Sequence, residues 1–276
     1  MKKILTILLF SGCLAAQAQT HKITQIWATD TIVAIPESVL PDIKNNFLYV
    51  SLIDGGPWDA DGKGGIGRMN KNGTNYDSLW FTGLNAPKGL GIWQNKIYAA
   101  DISNVVVADI STGKLIRKIP VEGASGLNDI TISAKGLVFV SDSKTGKIWK
   151  LENEIPALYL EDITGANGLK AVGEDLYFAK GSLLMKADGK KQVTRIADVS
   201  QSIDGIEPIG NGDFLVTSWP GYIFYVYANG KSELLLDTHN EKKNTADLGY
   251  DPIKKILYVP TFFNKRVVAY QLNSQP

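Results

Sequence analysis

The chain has 276 residues, in which 29 Lys and Arg balance 28 Asp and Glu. That balance argues against a basic nucleic-acid footprint or a polybasic membrane surface. With 44% hydrophobic and 21% charged residues, the composition argues equally against disorder. The length suits one large closed all-β or barrel-like domain with an ample core.

At the N-terminus, Met1-Lys2-Lys3 precedes an apolar run at residues 4–10 and small residues up to Ala16-Gln17-Ala18. A positive start, a short apolar core and an A-x-A-like site read as a secretory signal peptide over residues 1–18. Without Lys2 and Lys3 the count is 27 basic against 28 acidic residues, a net of −1. Neither this run nor any later one reaches membrane-spanning length. An exported protein, periplasmic or secreted, is therefore expected. Ser11-Gly12-Cys13 resembles a bacterial lipobox, the alternative in which Cys13 carries a lipid anchor. Cys13 is the only cysteine, so disulfides and thiolate metal sites are excluded from the mature domain, residues 19–276.

From Ile23 onward no 12-residue stretch keeps a clean helical apolar period. Short strand-like runs bounded by Gly, Asn, Asp or Pro recur instead. One repeat opens at Gly126-Leu127-Asn128-Asp129, continues through Val138-Phe139-Val140-Ser141-Asp142 and Lys147-Ile148-Trp149-Lys150-Leu151, and ends in an outer strand at residues 157–160. Equivalent openings stand at Glu37, Lys88, Asn167, Asp204 and Ala246, and the six are separated by 51, 40, 39, 37 and 42 residues. Four strands in about 40 residues is the spacing of β-propeller blades. The surplus of the first interval is a Gly- and Asp-rich loop at residues 54–65. The last repeat supplies three strands, at residues 248–251, 256–261 and 267–272. A fourth is expected from residues 22–27, closing a six-bladed ring without free edges.

In such a ring the first residues of the inner strands converge on the central channel. Glu37, Asn128, Asn167 and Asp204 bring two carboxylates and two amides there, groups that are costly to bury without partners. All four present oxygen, which suits Ca²⁺ and, less well, Mg²⁺ or another divalent cation. A water-filled channel is the other reading.

Pro36-Glu37-Ser38, Leu127-Asn128-Asp129, Ala166-Asn167-Gly168-Leu169 and Ile203-Asp204-Gly205-Ile206 resemble the metal stations of the SMP-30/gluconolactonase/LRE-like propellers. Val138-Phe139-Val140-Ser141-Asp142-Ser143 fits the same family. The resemblance spans essentially the whole mature chain. It implies that Glu37, Asn167 and Asp204 hold a divalent cation, with Asn128 as a fourth ligand or as a contact to substrate through water. It also implies a hydrolase that opens lactones or related esters. The cation would stabilise the oxyanion, and Asp204 would be the catalytic base or nucleophile. Two departures qualify this. Gly126 stands where the gluconolactonase branch has a sugar-reading Arg. Lys88 joins the ring, either as a clamp for an anionic substrate or as an ion-pair partner of Glu37 or Asp204 in a metal-free channel.

Other candidates are weaker. His239 is a substrate-side proton shuttle or a loop bystander. His21 is expected in a disordered terminus. Trp58 and Trp219 either floor a binding pocket or pack on their own blades. Asp59-Ala60-Asp61-Gly62 begins like a calcium loop but lacks its closing Glu, and reads as a lid. The expected protein is a monomeric, metal-dependent lactonase-like hydrolase of a small molecule. The alternative is a non-catalytic propeller that binds a ligand or protein through its loop face.

Overall fold

The computed structural model describes residues 20–274; the expected signal peptide and Cys13 lie outside them. The described chain forms six four-stranded antiparallel sheets in a ring, a six-bladed β-propeller. The inner strands are Pro36–Asp42, Pro87–Trp93, Leu127–Ile132, Ala166–Val172, Ile206–Gly210 and Gly249–Asp251. Each of the first five opens a blade whose later strands follow in sequence order. The sixth blade takes its outermost strand, His21–Ala28, from the N-terminus, where it pairs antiparallel with Val267–Ser274. That closure is as the repeat arithmetic predicts. The outer strand of the third blade is longer than expected, Ile155–Leu160.

Apolar clusters fill the seams between neighbouring blades. Leu48, Val50, Met69, Tyr258 and Val267 join the first blade to the last; Val105, Val107, Ile130, Val140 and Leu151 join the second to the third. Alternation along each strand gives every blade two apolar faces, one for each neighbour. Among the described residues no helix is long and apolar enough to cross a membrane.

One departure from ideal strands builds the site. Pro36 pairs with Leu52 but Val39 with Val50, so the inner strand carries one extra residue there. The same skip follows Pro87, Leu127 and Ala166. It is a β-bulge, which lets two successive side chains reach one face. In three blades a hydroxyl of the second strand accepts the freed backbone N–H: Ser51 from Ser38, Ser141 from Asp129 and Thr217 from Gly205, at 2.8–3.0 Å. The expected ring residues are therefore not strand openers. Glu37, Lys88, Asn128 and Asn167 are second in their strands, and Asp204 and Ala246 precede theirs.

Candidate active site at the channel mouth

The bulges in four blades, and the segments just ahead of the inner strands in the other two, place two layers of residues at the channel. The upper layer holds Glu37, Lys88, Asn128, Asn167, Asp204 and Ala246; the lower holds Ser38, Asp129 and Asp247, with glycine in the other three blades. The carboxylates of Glu37, Asp129 and Asp204 are buried, and that of Asp247 is partly buried. Sequence reasoning placed Glu37 and Asp204 there but missed Asp129 and Asp247. Strict alternation turns a residue next to a channel residue away from the axis; the bulge reverses this for Asp129, and Asp247 lies ahead of its strand, bonded to the backbone of the first blade.

In the upper layer Asn167 Nδ2 donates to Asp204 Oδ1 at 2.9 Å, and Asn128 Nδ2 donates to Ser143 Oγ at 2.9 Å. Lys88 Nζ lies 3.8 Å from Glu37 Oε1, both side chains almost fully buried. Glu37 Oε2 and Asn167 Oδ1 are buried with no hydrogen-bond partner. Below, Asp129 accepts the backbone N–H groups of Ile130 and Leu169, and Ser38 Oγ donates to Asp247 Oδ2. Deeper still, Lys170 Nζ and Glu207 Oε1 pair at 2.7 Å. A cavity of only about 20 Å³ separates these levels, room for about one water.

Burial pushes the Glu37, Asp129, Asp204 and Asp247 carboxyls above their ordinary range. For Asp204 the rise is to about 6, opposed by the Lys88 ammonium and the Asn167 hydrogen bond. For Asp247 neighbouring carboxylates add to the rise. Across the two layers, four carboxylates face one ammonium. A divalent cation beside Glu37, Asn167 and Asp204 would correct that imbalance and would use the two unpartnered oxygens, so the donor set fits one. The fit depends on the amides. Among the described residues, no three His, Cys, Asp or Glu side chains gather as a metal centre.

Loops joining the second and third strands of the blades cover this face. Residues 53–63 carry Trp58, whose ring lies 4.4 Å from Lys88 Nζ. The turn of the third blade carries Lys144, whose Nζ lies 4.7 Å from the same ring. Lys144 has room because residue 126 is Gly: a Cβ there would come within 2.6 Å of Lys144 Cγ. On the side of Ala246, Phe262 packs with Ile53 and Ala86. Trp219 and Phe263, both exposed, stand edge-on to Phe262 or to each other at 4.8–5.9 Å. The sequence flagged Trp58 and Trp219 but neither Lys144 nor the phenylalanines, which touch the site only through tertiary packing. His239 pairs with Asp237 at 2.5 Å and stacks on Tyr222 at the outer edge of its blade, so its contacts are not ring residues. His21 is ordered, contrary to expectation: it stacks on Tyr225 and bonds Glu233.

The fold has relatives among solved structures. A catalytically inactive virginiamycin B lyase from Staphylococcus aureus with quinupristin matches at TM-score 0.64 and 14% identity, covering 91% of this chain and 99% of its own. A protein assigned to the gluconolactonases matches at TM-score 0.67 and 12% identity, covering 92% and 93%. A chain of a nidogen–laminin complex matches at 0.63 and 14%, covering 74% and 80%. At such identities the likeness is one of fold. No family model and no curated protein matches the chain.

Proposed function

We propose that this protein is an exported hydrolase of small cyclic or acyclic esters, dependent on a divalent cation, Ca²⁺ first, held at the channel mouth. The observation that carries the reading is the pair of buried, unpartnered oxygens, Glu37 Oε2 and Asn167 Oδ1, on the same ring as Asp204. Native proteins rarely leave such atoms without a partner. Glu37, Asn167 and Asp204 would hold the cation, with Asn128 completing the set directly or through water. Such an ion, when bound, polarises an ester carbonyl and steadies the oxyanion that follows.

Asp204 has the character of a general base, with a carboxyl lifted toward neutrality by burial. It takes a proton from the attacking water as the new C–O bond forms. It returns that proton to the leaving alkoxide as the ester bond breaks. Asn167 fixes the carboxylate through its 2.9 Å hydrogen bond. Trp58 above and the narrow channel below limit bulk water. Fold neighbours described as a gluconolactonase and a lyase accord with small-molecule chemistry on this scaffold. One observation favours the alternative of a non-catalytic binder: Lys88 already stands 3.8 Å from Glu37 and answers part of the ring's charge.

The test is thermal unfolding in EDTA and in millimolar Ca²⁺, with turnover of a lactone and aryl-ester panel. At 100 times the dissociation constant, Ca²⁺ stabilises by about 2.7 kcal/mol, several degrees in a domain of this size. Asp204→Asn should lower kcat by about 100-fold and weaken Ca²⁺ binding. Identical melting in both media, with no turnover, leaves the binder reading.

A further inference from the structure

Lys144 takes no part in the proposed chemistry, and Trp58 there only screens the ring from water. The Lys88 and Lys144 ammoniums converge on one indole, at 4.4 and 4.7 Å from its centroid. The Lys88 side chain is almost wholly buried. Lys144 is exposed, and its ammonium has no carboxylate partner among the described residues. Two like charges directed at one point repel each other; the face of the indole offsets this, aided on the Lys88 side by Glu37 at 3.8 Å. Trp58 sits in the middle of a long loop, so its ring can give way without disturbing a strand. The arrangement depends on Gly126, since any side chain there would displace the Lys144 stem.

We propose that Lys144, with Lys88 and Trp58, forms a carboxylate-recognition subsite that selects substrates bearing an anionic group beside the ester. An incoming carboxylate takes the place between the ammoniums that the indole now holds. It accepts charge-assisted hydrogen bonds from both, and Trp58 moves against its apolar side. Lysines act as point charges and set no planar geometry. The subsite therefore selects for charge and not for a pattern of hydroxyls. Neutral polyhydroxy lactones lack the group that the lysines would hold. This inference rests on reading the ring as the reaction centre, and Lys144 acts in substrate binding and not in the chemical step.

The experiment compares γ-butyrolactone with γ-carboxy-γ-butyrolactone, which differ only by the carboxylate, in the Ca²⁺-loaded wild type, Lys144→Met and Lys144→Arg. The wild type should prefer the carboxylated lactone in kcat/KM. Lys144→Met should reduce that preference about tenfold, mainly through KM, and Lys144→Arg should retain most of it. A merely structural role would lower both lactones together and leave their ratio unchanged, which overturns the proposal. Where neither lactone is hydrolysed, calorimetry with the same two lactones tests the subsite without turnover. Tighter binding of γ-carboxy-γ-butyrolactone that is weakened about tenfold in Lys144→Met supports the subsite even then, an outcome that would overturn only the hydrolase reading. Equal binding of the two lactones, or equal loss of both, overturns the subsite.

Discussion

Gly168 shows how tightly the site is tied to the fold at the scale of single residues. It is the lower-layer residue of its bulge, and a Cβ built on it would lie 2.1 Å from the backbone oxygen of Asp204. No contact of that length is tolerated, and the obstacle is backbone, so the two inner strands must part. Gly168→Ala should cost on the order of 2 kcal/mol and lower Tm by roughly 4–8 °C. It should also weaken Ca²⁺ binding, because Asp204 moves with its backbone. The check is Tm and calorimetric Ca²⁺ affinity measured on one preparation. Unchanged values for both would mean that the strands are not held as closely as the geometry requires.

Among the elements, the seam between the first and last blades carries a charged clamp beside its apolar cluster. Lys71 follows the third strand of the first blade and reaches Asp251, the last residue of the inner strand Gly249–Asp251, at 2.7 Å. Asp251 Oδ1 also accepts the backbone N–H groups of Ile253 and Lys254, both at 3.0 Å. Burial alone would raise this carboxyl, but the ammonium and the N–H groups outweigh it and hold it below the ordinary range. A depressed carboxyl contributes stability that is full above the unfolded value, about 3.9 for Asp, and is lost as pH falls through the folded one. The urea midpoint should therefore fall in this acid range, and less steeply in Asp251→Asn. Lys71→Met, which strands a buried carboxylate, should cost about 3 kcal/mol near neutral pH. Parallel acid profiles for wild type and Asp251→Asn would remove the clamp from the account.

Over the whole molecule, closure joins six otherwise similar sheets into one unit. Residues Val267–Ser274 would form a bare edge without His21–Ala28, which pairs with them along almost its full length. Bare edges invite pairing with other chains. A chain beginning at residue 29 should melt lower and over a wider range than the full domain, and should self-associate. Calorimetry and light scattering at several concentrations are the checks. A monomeric truncated chain with an unchanged transition would show that the seams, and not the closing strand, hold the ring.

The blade count, the closing strand and the upper ring were legible in the sequence. Each rests on a local signal: a turn, an alternating run, or an opening residue repeated about every 40 positions. Glu37, Asn128, Asn167 and Asp204 could be aligned by those openings alone. Asp129 and Asp247 could not: a bulge turns Asp129 into the channel, and Asp247 lies ahead of its strand, held by backbone bonds to Glu37 and Val39 of the first blade. Lys144 and Phe262 were equally silent in sequence. Their turns differ in length and composition from blade to blade, and only the ring brings Lys144 to Trp58 and Phe262 to Ala246. Local patterning thus determines which strands form and in what order. The approach of neighbouring blades decides which loop side chains meet above the channel, because those contacts join residues far apart in the chain that no repeat period relates.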